Sequence, residues 1–195
     1  MGIDHSLACI FMASGRAKRF GTNKLVYPID GVPMCDVMFA QHPAELFKQT
    51  LVVTRYAAVA LSASMHGFSV VENEDENDDV AKTIRLGVMA LAPPIEGCLF
   101  SVCDQPWLTG ATVKAVVDVF LQNPTRIVAP SWQGKRGNPV LFPKQLFAEL
   151  AALPQNVSGG KVIAAHLDLL TLVPARDAKE LMDLDVPPNS SVAPQ

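Results

Sequence analysis

The feature that most limits how this chain can fold is the run Cys9-Ile10-Phe11-Met12-Ala13, which breaks into Ser14-Gly15-Arg16-Ala17-Lys18-Arg19-Phe20-Gly21-Thr22-Asn23-Lys24. Its apolar part has the length and content of a strand buried on both faces. The small-residue loop that follows carries two glycines and four cations, Arg16, Lys18, Arg19 and Lys24. A buried strand opening into a glycine-bearing loop is how α/β proteins turn backbone N–H groups toward phosphate, and the cations add charge at the same place. Neither common phosphate-loop pattern is met. Gly15 and Gly21 stand too far apart for G-x-G-x-x-G, and no G-K-[ST] follows four free positions.

Composition narrows the partner. The chain has 195 residues, enough for one domain with a sizeable core. Hydrophobic residues make up 49% and charged residues 18%, which suits a well-buried α/β sheet. A net charge of −3 argues against a broad nucleic-acid face, while four of the sixteen cations fall between positions 16 and 24. The positive field is local, so a small anionic ligand is expected. No apolar stretch has the length of a membrane span and no signal-peptide pattern is seen, so no membrane partner is expected. Met1 to Ser6 fits the loose myristoylation pattern, which is short enough to recur by chance. Cys9, Cys35, Cys98 and Cys103 form no C-x-x-C pair and lie in or beside apolar runs. They read as buried free thiols of a reducing, cytoplasmic protein. His5, His42, His66 and His166 have no metal spacing.

Further along, strands and helices alternate. Leu25 to Ile29 reads as a short extended piece closed by an Asp30-Gly31 turn, and Pro33 starts a helix toward Gln41. Gln49 to Thr54 is a second strand, Tyr56 to Met65 a helix, and Phe68 to Val71 a third strand. This rhythm predicts a single three-layer, Rossmann-like α/β domain with a mostly parallel sheet. An acidic run, Glu72, Glu74, Asp75, Glu76, Asp78 and Asp79, reads as a solvated loop feeding a helix from Val80 to Gly87. Cys98 to Cys103 is a doubly buried strand that delivers Asp104-Gln105-Pro106 at its carboxyl end, where open α/β sheets bind ligands. Thr109 is the better cap for a helix over Val113 to Leu121, which leaves Asp104 without that task. Arg126 to Pro130 is another strand. Gly134 to Phe142 holds a turn before an extended segment, Lys144 to Leu153 and the residues after Ser158 look helical, and Asp168 to Val173 reads as a late strand. The domain is expected to span residues 1–187, with 188–195 a frayed tail.

Five stretches, in order, resemble the molybdenum-cofactor nucleotidyltransferases, and more loosely the sugar-1-phosphate nucleotidyltransferases. Met12-Ala13-Ser14-Gly15, Arg19-Phe20-Gly21 and Lys24 match L-A-A-G-x-S-x-R-(M/F)-G-x-x-K, with Ser14 in place of Ala and Ala17 in place of Ser. Thr83, Ile84 and Gly87 fit the family's G-x-S-x-S-(I/L)-x-x-G, although Asp79 stands where Gly is expected and Ala81 stands for Ser. Asp104-Gln105-Pro106 matches D-Q-P. Gly134 to Phe142 matches G-x-x-G-(H/N)-P-V-L-F, and Leu181 to Pro187 matches the closing D-I-D-T-P. The Gly-Asp that many relatives carry before a later Gly-rich turn is missing at Asn156-Val157-Ser158.

The resemblance is nearest to the molybdopterin cytidylyltransferases. It implies attack by a molybdopterin phosphate oxygen on the α-phosphorus of a nucleoside triphosphate, with pyrophosphate released. Ala13, Ser14, Gly15, Arg16, Arg19, Lys24 and Thr83 would then bind the nucleotide, and Gly137, Asn138 and Pro139 would line the acceptor side. Arg19, Lys24 and Asp104 would serve catalysis. Asp104 and Asp185, with Asp183 as second choice, would hold Mg²⁺, a hard cation suited to carboxylate and phosphate oxygens. A small but not minimal residue at position 14 goes with cytidine in the family, which favours CTP over GTP. A molybdenum hydroxylase is the implied protein partner. Two other readings stay open: transfer to a sugar or polyol phosphate, and a non-catalytic nucleotide- or cofactor-binding accessory protein.

Overall fold

Strand β1 (Leu7–Ala13) runs through the interior of an eight-stranded sheet in a computed structural model that describes residues 6–16, 20, 23–74, 79–92 and 94–185. Its side chains alternate between two cores, as the period of a strand requires. Leu7, Cys9, Phe11 and Ala13 face one, and Ala8 and Ile10 face the other.

A short 3₁₀ turn, Lys24–Val26, follows the glycine loop. A two-residue hairpin comes next, β2 (Pro28–Ile29) against β3 (Val32–Pro33), with Asp30 and Gly31 at φ of 50° and 86°. The extended piece expected from Leu25 is therefore turn first and strand second. Helix α1 (Met34–Ala40), β4 (Gln49–Thr54), α2 (Ala57–Met65), β5 (Ser69–Glu72), α3 (Val80–Met89) and β6 (Gly97–Val102) then follow, with bounds near those predicted. Helix α4 (Gly110–Gln122) starts at Thr109, whose hydroxyl accepts from the Thr112 N–H at 3.4 Å, as the cap assignment requires. The rest is β7 (Ile127–Trp132), β8 (Lys135–Arg136), β9 (Val140–Pro143), α5 (Phe147–Ala151), α6 (Gly160–Ala165) and β10 (Leu170–Pro174).

The sheet order is β10-β7-β9-β6-β1-β4-β5, with β8 paired to β7. Strands β6, β1, β4 and β5 are mutually parallel, whereas β9 runs antiparallel between β7 and β6. Helices α1, α2 and α4 pack on one face through Met34, Phe39, Val59, Val117 and Phe120. Helices α3, α5 and α6 cover the other through Ile84, Leu150, Val162 and Ile163. The result is the predicted three-layer α/β arrangement, with a mixed and mostly parallel sheet. Helix α3 sits so close to β1 that a Cβ on Gly87 would lie 2.8 Å from Ile10. All four cysteines are buried and free. Among the described residues no helix is long and apolar enough to cross a membrane.

Candidate active site

Because β1, β4, β5 and β6 are parallel, their carboxyl ends open at one edge. There Ser14, Arg55, Asn73 and Asp104 leave the sheet. The loop after β1 is tied to its neighbour by short bonds. Ser14 is buried, and its hydroxyl donates to the Val53 carbonyl at 3.0 Å. The Thr54 hydroxyl donates to the Ala13 carbonyl at 2.8 Å, and the Tyr56 hydroxyl donates to the Gly15 carbonyl at 3.0 Å. A Cβ on Gly15 would meet nothing within 4 Å, and its φ is not positive. Neither packing nor backbone conformation demands glycine here. The space in front of it is open for a ligand.

One cavity gathers Ser14, Gly15, Lys24, Asn73, Thr83 and Asp104. Of the residues expected to bind nucleotide, Ser14, Gly15, Lys24 and Thr83 line it together, whereas Ala13 and Arg16 do not. Lys24 lies on the 3₁₀ turn, which Asn23 caps and the buried Leu25 anchors. Its ammonium donates to Asp104 Oδ2 at 2.7 Å, to Asp185 Oδ1 at 3.4 Å and to the Leu184 carbonyl at 3.5 Å. Burial works against the charge on Lys24, but the hydrogen bond and charge of Asp104, with Asp185 behind them, outweigh it and raise its pKa. Asp104 Oδ1 is buried and has no hydrogen-bond partner among the described residues. A lone buried carboxylate oxygen is costly unless a cation or donor reaches it.

Asp183, the second-choice acid, is already taken. It accepts from Gln105 Nε2 at 2.9 Å, while burial and then the charge of Asp104 raise its pKa. Asp185 is the carboxylate that shares Lys24 with Asp104. Among the described residues no three His, Cys, Asp or Glu side chains group closely enough to hold a metal by themselves. Two carboxylates suit Mg²⁺, which keeps waters and substrate oxygens in its shell.

Thr83 lines the cavity, but its hydroxyl accepts from Asn73 Nδ2 at 3.1 Å. Asp79, the residue that replaces the expected glycine, caps α3 through the Ala81 N–H at 2.9 Å. It also accepts from the Asn156 N–H at 2.7 Å. It ties the 154–159 loop to the helix and is buried, not a member of a solvated run. Residues 75–78, the middle of that run, lie outside the described residues, as do Lys18, Arg19 and Gly21. Arg16 is exposed at the end of the described loop.

A second cavity shares Met12, Val80 and Val102 with the first. Ile84, Phe100, Val140 and Phe142 form its walls, and Arg136, Asn138 and Ser158 supply its polar atoms. The turn before it is a β7–β8 hairpin. Gly137 donates to the Pro130 carbonyl at 2.8 Å and packs against Leu181, where a Cβ would come within 2.9 Å. The Asn138–Pro139 peptide is cis, and Pro139 is buried.

Tyr56, Asn73 and Glu180 were not singled out from the sequence. Tyr56 and Asn73 stand just beyond strand ends, a signal that could have marked them. Nothing local marks Glu180.

The sequence matches the MobA-like NTP transferase domain over residues 9–169. The chain belongs to that family. It is 23% identical over 189 residues to the purine catabolism protein PucB of Bacillus subtilis, with 91% of each chain covered. Among solved structures it is similar to Rv0371c of Mycobacterium tuberculosis, at 24% identity and a TM-score of 0.77, with 92% of this chain and 93% of that one covered. A second structure of that protein, in complex with manganese, has a TM-score of 0.71 at 22% identity and covers 87% and 88%. A nucleotidyl transferase from Methanothermobacter gives a TM-score of 0.78 at 18% identity, covering 92% of both chains. At these identities the structural likeness carries the fold. Family membership makes the MobA-like chain a nucleotidyltransferase.

Proposed function

We propose that this MobA-like protein transfers a nucleoside monophosphate, from CTP in preference to GTP, to the phosphate of molybdopterin. The observation that carries the reading is the pair of neighbouring cavities that share Met12, Val80 and Val102. The glycine loop, Lys24 and Asp104 line one, and an apolar-walled space lies beside it. An acceptor phosphate oxygen attacks the α-phosphorus of the triphosphate. The bond to the bridging oxygen then breaks, and pyrophosphate leaves with that electron pair. A phosphate monoester is largely ionised at neutral pH, so no strong base is needed. Alignment and charge neutralisation do most of the work.

In this reading the N–H groups around Ser14, Gly15 and Arg16 cradle the triphosphate, with Ala13 at the end of the strand behind them and Thr83 on the facing helix. Lys24 and Arg19 balance charge on the departing pyrophosphate. Asp104 and Asp185 would hold Mg²⁺, which when bound would neutralise phosphate charge. The orphaned Oδ1 of Asp104 fits that role, and the relative crystallised with manganese agrees with a divalent ion. Gly137, Asn138 and Pro139 shape the acceptor side. Walls of Phe100, Phe142, Ile84 and Val140 suit the faces of a flat ring system, with Arg136, Asn138 and Ser158 placed to meet polar groups at its edge. That favours molybdopterin over a sugar or polyol phosphate. The relative's name places it in purine catabolism, and a molybdenum hydroxylase is the proposed recipient of the product. The catalytic unit spans residues 1–187.

Pyrophosphate release from each triphosphate, with and without molybdopterin, tests the reading. Release with CTP and molybdopterin together supports it. Release only with a sugar or polyol phosphate, or none with any acceptor, contradicts it. Ser14→Gly should narrow the preference for CTP over GTP, and an unchanged kcat/KM ratio would show that Ser14 does not read the base.

A further inference from the structure

The ammonium of Lys24 has three protons, and the structure gives it three oxygen acceptors: Asp104 Oδ2 at 2.7 Å, Asp185 Oδ1 at 3.4 Å and the Leu184 carbonyl at 3.5 Å. All belong to the two segments that carry the acids. The Lys24 side chain, 13% exposed, also lines the glycine-loop cavity, where a triphosphate would offer it other oxygens. It cannot satisfy both sets at once. Its backbone is held, because the Tyr27 N–H donates to the Lys24 carbonyl at 3.0 Å and Leu25 is buried beneath it. Only the side chain is left to choose.

We propose that in the nucleotide-free protein Lys24 occupies the place between Asp104 and Asp185 that a divalent cation takes in the loaded one, and so keeps that cation out. This rests on the reading that those two acids hold the metal. A cation bound to Asp104 and Asp185 would share their oxygens with the ammonium, and two positive groups cannot lie on one oxygen pair without strong repulsion. When a triphosphate draws the ammonium across the cavity, the acids lose the positive charge of Lys24. The site opens as the anion that needs the metal arrives. Nucleotide and metal then favour one another by the same factor in either order. Lys24 thus makes metal binding conditional on substrate, a role separate from balancing charge on the leaving group.

Mn²⁺ alone is the probe, titrated by electron paramagnetic resonance into protein without nucleotide. Wild type should bind weakly, and Lys24→Met should bind at least tenfold more tightly. Lys24→Gln serves the same purpose if Lys24→Met melts early, since it drops the charge but can still donate to Asp104. Lys24→Arg keeps the charge and should stay weak. Lys144→Met is the control for net charge, because it removes an exposed lysine that pairs with Glu96 and should change nothing. Equal affinity in wild type and Lys24→Met overturns the proposal, as does an equal gain in Lys144→Met. Adding Asp104→Asn to Lys24→Met should abolish the gain. If the gain survives there, the assignment of the metal to Asp104 falls instead.

Discussion

The backbone N–H of Leu184 donates to the carbonyl of Asp104 at 2.7 Å, so the last described segment is stitched to the loop that ends β6. The stitch has an anchor. Glu180 is buried at the start of α4 and accepts from the Thr109 and Thr112 hydroxyls at 2.5 and 2.6 Å and from the Arg176 N–H at 3.1 Å. Together they place Asp185 beside Lys24. Glu180→Ala should cost about 2–3 kcal/mol of stability, since it strips three donors of a buried partner. A melting curve and urea titration measure it, and a loss below about 0.5 kcal/mol would show that the segment is held by other contacts.

Gly15 makes the opposite case. Its surroundings leave room for a methyl group, so Gly15→Ala should change stability by less than about 1 kcal/mol. The methyl would stand where the triphosphate is proposed to lie, and KM for CTP should rise about tenfold or more. Unchanged KM with unchanged melting would mean that the loop does not approach the nucleotide closely.

Acid sensitivity follows from His42. It is buried against Phe11, its Nδ1 meets the Met38 carbonyl at 2.8 Å, and burial lowers its pKa from 6.5 to about 4. The unfolded chain takes up this proton near pH 6.5, and the folded one only near pH 4. The stability that neutral His42 contributes is present above pH 6.5 and is lost as pH falls toward 4, by about 3 kcal/mol in all. His42→Leu should flatten that part of the stability profile. An identical slope in the variant would locate the acid sensitivity elsewhere.

Much of this arrangement was legible in the sequence, and the reason is local. Apolar runs of strand length leading to Ser14 and Asp104 are enough to place both at one sheet edge, whereas Lys24 joins them only through the match of its loop to the family pattern. What was not legible depends on partners far along the chain. Asp79 looks like one more acid in a solvated run until Asn156 donates to it. Nothing in the sequence around Glu180 marks it, since its partners are two threonines at the start of α4. The reversed direction of β9 is fixed by pairing with β6 and β7, which its four apolar residues do not encode. Leu25 to Ile29 reads as extended because its apolar content suits a strand, and Pro28–Ile29 is one, whereas Asn23 caps a 3₁₀ turn over Lys24–Val26.

The most direct measurement pairs the melting temperature of Asp104→Asn with its Mg²⁺-dependent pyrophosphate release from CTP and molybdopterin. Asparagine keeps the size of the side chain and can still accept from Lys24, so stability should shift by less than about 2 kcal/mol. It removes the charge that the proposed metal needs, and turnover should fall roughly a hundredfold or more, equivalent to about 3–5 kcal/mol in the transition state. A variant that melts like the wild type and turns over at a near-normal rate would contradict the account.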